Sequence, residues 1–135
     1  MTDDEAAIRE LITAYALALD AGDVDGCVDL FVADAEFLVH GRSFAGHDGI
    51  GKMFRDAPGG LHLTGVSRID VRDNTATARS QVLFVRAGDL HLRPALYDDE
   101  LVRDPTDSGR WRFRRRRCRF VTSAGLADSP EVASS

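Results

Sequence analysis

The chain has 135 residues, 44% of them hydrophobic and 29% charged. That is length enough for one core and too little for two, and no apolar run approaches the ~18 residues that suggest a membrane span. A net charge of −5 argues against nucleic acid as a partner. The acidic opening, Met1-Thr2-Asp3-Asp4-Glu5, lacks the basic-then-apolar pattern of a secretion signal, so the cytoplasm is the expected location. Cys27 and Cys118 have no metal-ligand or redox spacing and are expected to be small buried hydrophobes.

Residues 3–21 are predicted to form a helix. Asp3 or Asp4 can cap it, acids fill its first turn, and Ile8, Leu11, Ile12, Tyr15 and Leu19 make one apolar stripe. Asp20 lies on the flank of that stripe, and Gly22 stops the helix. A short second helix over 24–31 follows, capped by Asp23, with Val24, Cys27, Val28 and Phe31 inward. Residues 34–40 read as a strand, Gly41-Arg42-Ser43 as a turn, and 47–56 as a third helix with Ile50, Met53 and Phe54 on its apolar face.

Four longer strands are expected at 61–72, 75–87, 91–103 and 110–122, punctuated by Asp73-Asn74, Ala87-Gly88-Asp89 and Pro105-Thr106-Asp107-Ser108-Gly109. Helices first and long adjacent strands afterwards indicate an α+β fold with an antiparallel sheet. Residues 1–122 are read as one domain, and 123–135, which lack periodicity, as a flexible tail.

The run Arg112 to Arg119 is dense in arginine and reads either as a nucleic-acid patch or as a strand whose charge is split between two faces. The strand reading is preferred, because neighbouring acidic strands can neutralise it. Unbroken alternation puts Arg112, Arg114, Arg116, Cys118 and Phe120 on one face. Trp111, Phe113, Arg115, Arg117 and Arg119 fall on the other.

The segment from Tyr15 to Phe37 (helix ending in an acid, Ala21-Gly22-Asp23 turn, short helix, strand) resembles the opening of the SnoaL-like families in the nuclear-transport-factor-2-like superfamily. Gly46-His47-Asp48-Gly49-Ile50, Asp73 to Ser80, and Tyr97 to Arg103 followed by Gly109 to Phe113 resemble later motifs of those families in the same order. The resemblance, over roughly 5–120, implies a cone-shaped α+β barrel: N-terminal helices packed on a strongly curved, mostly antiparallel sheet around a pocket. It also implies a homodimer through the outer sheet face. The superfamily includes ketosteroid isomerase, scytalone dehydratase, limonene epoxide hydrolase, polyketide cyclases, oxygenase small subunits and non-catalytic binders, so the fold alone does not choose a function.

Against scytalone dehydratase, Asp20 matches a pocket acid on the first helix and His62 a histidine on the first long strand, whereas Leu19 stands where that enzyme has a tyrosine. An Asp–His pair suits acid–base work: the carboxylate holds one imidazole nitrogen and the other moves a proton. Tyr15, one turn earlier, and Tyr97 are expected to orient substrate. Tyr97 and Asp99 share a strand face, and Asp99 is expected to pair with Arg115 on the next strand. Asp99 and Arg115 also supply part of the Asp–Arg–Asp set that an epoxide hydrolase needs.

Phe37, Val39, Val66, Val82, Phe84 and Leu101 are the expected pocket wall, and a small hydrophobic oxygenated molecule the expected guest. His40 and His91 are read as solvated. The histidines show no metal spacing, and no glycine loop of phosphate-binding type is present, so neither metal nor cofactor is expected. The expected function is a cofactor-free acid/base enzyme of secondary metabolism, a dehydratase, isomerase or cyclase, with hydrolytic ring opening as runner-up. The alternatives are a non-catalytic binder of small molecules or a small subunit of an oxygenase.

Overall fold

The computed structural model describes residues 1–132. In chain order the elements are α1 (Asp3–Asp20), α2 (Val24–Val28), β1 (Phe31–Val39), β2 (Arg42–Ala45), α3 (Gly46–Asp56), β3 (Gly60–Arg72), β4 (Thr75–Arg86), β5 (Leu92–Asp104), β6 (Arg110–Thr122) and β7 (Gly125–Ala127). Thr2, one residue before the predicted caps, caps α1 by accepting from the Glu5 N–H. Helix α2 stops three residues early because Phe31 already opens β1. Residues 125–127 are not part of a loose tail: they pair antiparallel with β6. Residues 133–135 lie outside the described residues.

The sheet runs β2-β1-β6-β5-β4-β3, with β7 added on β6. Every pairing is antiparallel except β1 with β6. Helix α1 packs on β3 and α3 on β1, so the helices close over the concave face of a curved, unclosed sheet. This is the α+β cone the resemblance implies.

The concave face is layered by strand register. At the bottom, Val71, Ala76, Leu101, Phe113 and Phe31 align across β3, β4, β5, β6 and β1. The layer above holds Ile69, Ala78, Asp99, Arg116 and Phe37. Next come Ser67, Ser80, Tyr97 and Cys118, then Thr64, Val82, Ala95 and Phe120. The last row is His62, Phe84 and Arg93. Burial follows this order: Phe31, Phe113 and Leu101 are fully buried, whereas His62, Phe84 and Arg93 are half-buried.

Two bulges decide which residues face inward. On β6 the register with β5 slips between Glu100 and Leu101, leaving Arg114 as an extra residue. Phe113 and Arg116, three apart, therefore both point inward, and unbroken alternation fails for this strand. On β3 the register with β4 slips between Thr64 and Ser67, and Val66 turns out to solvent at 72% exposure. Val66 is thus not a wall residue, whereas Phe37, Val82 and Leu101 are buried inside.

Candidate active site

Asp20 is the last residue of α1, where a carboxylate opposes the helix dipole, unlike the acids of the first turn. What holds it there is β3, an edge strand of the sheet. The His62 backbone N–H donates to Asp20 Oδ1 at 2.9 Å and Oδ2 at 3.1 Å, and His62 Nδ1 lies 2.7 Å from Oδ1. One carboxylate therefore fixes both the main chain and the ring of His62 across 42 positions of sequence. Their side chains are 16% and 14% exposed. The imidazole packs on Phe84 at 4.7 Å between ring centroids.

With Nδ1 donating to Asp20, the neutral ring carries its lone pair on Nε2, which makes no hydrogen bond among the described residues. Burial lowers the His62 pKa from its ordinary value. The hydrogen bond and charge of Asp20 oppose that shift, and Arg116 adds to it. His62 is therefore neutral at neutral pH and chemically a base at Nε2.

Deeper in the cone stands a cluster that the sequence reading assigned only in part. Tyr15 from α1 and Tyr97 from β5 bring their hydroxyls to 3.5 Å. The Tyr15 ring packs edge-on against Tyr97, Phe31, Phe54 and Phe113. Arg116 lies among these rings, its guanidinium carbon 3.7 Å from the Tyr97 centroid, 4.2 Å from Tyr15 and 4.6 Å from Phe113. Burial raises both tyrosine pKa values well above the ordinary one, so both stay protonated donors.

The partner of Asp99 is Arg116 and not Arg115. Arg116 Nε lies 3.0 Å from Asp99 Oδ1. Arg115, carried to the convex face by the bulge, pairs instead with Glu36 at 3.2 Å. Arg115 is therefore not a pocket residue, and its share of an Asp–Arg–Asp set is lost. Desolvation outweighs the arginine and pushes the Asp99 pKa up to about 6. Burial likewise pushes the thiols up, Cys27 to about 12 and Cys118 to about 11, which leaves both as inert packing groups.

Most of the rest of the arginine run is neutralised by neighbouring acids. Asp98 is outward but lies beside Arg79 and Arg119, and Arg112 joins Asp104 and Asp107. His91 and His40 are both exposed, as expected, and one side of the His40 ring rests on Phe120 at 5.0 Å between centroids. Sequence reasoning missed Arg116 and the mouth residue Arg93. The bulge hid the first. The second follows from stepping back by twos from Asp99 and Tyr97.

The SnoaL-like domain profile matches residues 1–117, and the chain belongs to that family. No curated protein matches it. Among solved structures it is similar to an NTF2-like protein with a cystatin-like fold from Novosphingobium aromaticivorans, with 26% identity, 91% of this chain and 86% of that chain covered, and a TM-score of 0.79. It is also similar in fold to ActVI-ORFA from Streptomyces coelicolor (23% identity, 88% and 98% covered, TM-score 0.73). A ketosteroid isomerase-like protein from Erwinia carotovora atroseptica is a further neighbour (18%, 90% and 99%, TM-score 0.74). No helix among the described residues is long and apolar enough to cross a membrane.

Proposed function

We propose that the protein is a cofactor-free acid/base enzyme acting on a small hydrophobic oxygenated metabolite, by dehydration, isomerisation or cyclisation. The observation that carries this reading is the 2.7 Å contact of Asp20 with His62 Nδ1, which leaves Nε2 as a half-buried base at the open end of the concave face. In this reading Asp20 fixes the tautomer and stabilises the imidazolium formed when Nε2 takes a carbon-bound proton. Tyr15 and Tyr97, both protonated, donate toward the substrate oxygen, and Phe37 and Phe84 contact its apolar body.

The test uses a panel of cyclic ketones and β-hydroxy ketones in D2O, with deuterium uptake and loss of water followed by mass spectrometry. The wild type should accelerate exchange or dehydration, and Asp20→Asn and His62→Ala should each reduce the rate by about 100-fold or more. Near-normal rates in both variants defeat the assignment. Binding of the same ketones without exchange in the wild type would favour the second reading, a ligand carrier, in which Tyr15, 2% exposed among four aromatic rings, serves as core and not as a donor to the ligand.

The convex face supports a homodimer. Leu63, Leu83 and Pro94 are register partners on β3, β4 and β5, and Val121 and Leu126 on β6 and β7. Leu63 and Val121 are exposed, and Asp98, Arg79 and Arg119 on the same face already satisfy one another. A second copy would cover this apolar surface while Asp98, Arg79 and Arg119 stay paired with one another. Sedimentation velocity should show a dimer that Leu63→Asp with Leu83→Asp converts to monomer. A wild-type monomer at tens of micromolar overturns it.

A further inference from the structure

The row that closes the concave face contains a cation as well as a base. His62 on β3 is the register partner of Phe84 on β4, and Phe84 of Arg93 on β5. Along β5, Arg93 shares its face with Ala95, Tyr97 and Asp99, all buried on the inner side. Arg93 therefore leaves the strand toward the concave side, with Phe84 between it and His62 in register. Two strand spacings of ~4.8 Å put the His62 and Arg93 backbones about 10 Å apart.

Arg93 differs from the other arginines of β5 and β6 that are half-buried or buried. Arg103, Arg112, Arg115, Arg116, Arg117 and Arg119 each have an acid within 4.0 Å. Arg93 has none among the described residues, and its Nε is buried without a hydrogen-bond partner. The lack is not a shortage of acids, since the chain has 22 against 17 basic residues. A desolvated guanidinium nitrogen with nothing to donate to costs free energy that an arriving acceptor would recover. The cation also makes itself felt in this region: after burial, the charges of Arg93 and Arg42 hold down the pKa of His40, whose ring stacks on Phe120.

We propose that Arg93 is the specificity-determining cation of this site and that the ligand is a hydrophobic carboxylic acid. This rests on the reading of the concave face as the ligand site. The guanidinium takes the carboxylate in the paired geometry that arginine provides. The apolar body lies over Phe84 and Phe120. The ~10 Å between the two strands places a reacting carbon near His62 when one or two fused rings separate it from the carboxylate. The imidazole and the guanidinium thus read opposite ends of one molecule.

The probes are 2-naphthoate and its neutral isostere 2-naphthamide, with dissociation constants measured by calorimetry at pH 8 on the full chain. The wild type should prefer the acid by about tenfold or more, as expected for a hydrogen bond to a charged group. Arg93→Gln should abolish that preference without a change in melting temperature, and Arg93→Lys should keep part of it. Arg68→Gln, on exposed β3 backbone away from this row, should leave it unchanged. Equal binding of both probes by the wild type overturns the proposal. So does binding of neither at millimolar concentration, or a preference that survives Arg93→Gln. Asp20→Asn separates this from the catalytic reading: it should keep the naphthoate preference while losing proton exchange from ketones. Loss of preference in Arg93→Gln with full exchange in Asp20→Asn would leave the anion site standing and remove the enzyme assignment.

Discussion

Asp98 and Asp99 are neighbours on one strand, and the sheet sends them into opposite electrostatic environments. Asp98, on the convex face, receives two bonds from Arg79 at 2.6 and 3.0 Å and a third from Arg119 at 2.8 Å. Asp99, on the concave face, has Arg116 at 3.0 Å, yet neither of its oxygens makes a hydrogen bond, nor do Nε and Nη1 of Arg116. The Arg116 and Asp99 side chains are 1% and 0% exposed, against 53% and 29% for Arg79 and Asp98. The outer network has better geometry and should matter less, because water and salt screen it and hold its charges nearly as well. The inner pair has poorer geometry and should matter more, because its charges have nowhere else to go.

The strongest way to break this contrast is Arg116→Ala. The substitution empties a volume enclosed by Tyr15, Tyr97 and Phe113, removes the cation from their faces and strips Asp99 of its counter-ion. The expected loss is about 3–5 kcal/mol, read as a fall in the urea midpoint at pH 7. Arg116→Met, which restores the volume but not the charge, should recover about half of it. If Arg116→Ala costs under about 1 kcal/mol, the range of an exposed pair, then burial has not made the inner pair special.

The same region marks where the sequence could be read and where it could not. Helix α1 was legible from its stripe of Ile8, Leu11, Ile12 and Tyr15, and the four long strands from the turn residues between them. The α+β cone came from the order of motifs that resemble SnoaL-like proteins. The juxtaposition of Asp20 with His62 also came only from that resemblance, since nothing in spacing relates residues 42 apart. What failed was parity. One extra residue at Arg114 exchanged the faces of Arg115 and Arg116, and another near Val66 sent a valine into solvent. In a run of four consecutive arginines every residue has the same propensity, so the sequence carries no local mark of which one goes inside. The partner strand carries it, because Asp99 sits opposite Arg116 in register. The segment 125–127 was missed for a related reason: its pairing is supplied by β6 and not by its own pattern.

The sharper and smaller test uses the two aspartates themselves. The folded-state pKa of Asp99 is raised to about 6 by desolvation, which exceeds the pull of Arg116. Between about 4 and about 6 the folded chain therefore holds a proton that the unfolded chain has released, and stability falls as pH rises through that window. Asp98 is shifted the other way: its pKa is lowered, chiefly by the hydrogen bond from Arg79. Its contribution is present above the ordinary carboxylate value and is lost as pH falls through the folded one. Asp99→Asn should consequently gain on the wild type as pH goes from 4 to 7. Asp98→Asn should stand below the wild type at pH 7, by no more than about 1 kcal/mol for so accessible a group, and should close the gap toward pH 3. The lowered pKa of His62 makes all three chains lose stability in acid, and it cancels when each variant is compared with the wild type. Urea unfolding at unit steps from pH 3 to 7 measures both differences. Curves that slope in the same direction would mean that the face of the sheet does not govern the charge state, and that the contrast between Asp98 and Asp99 is one of geometry alone.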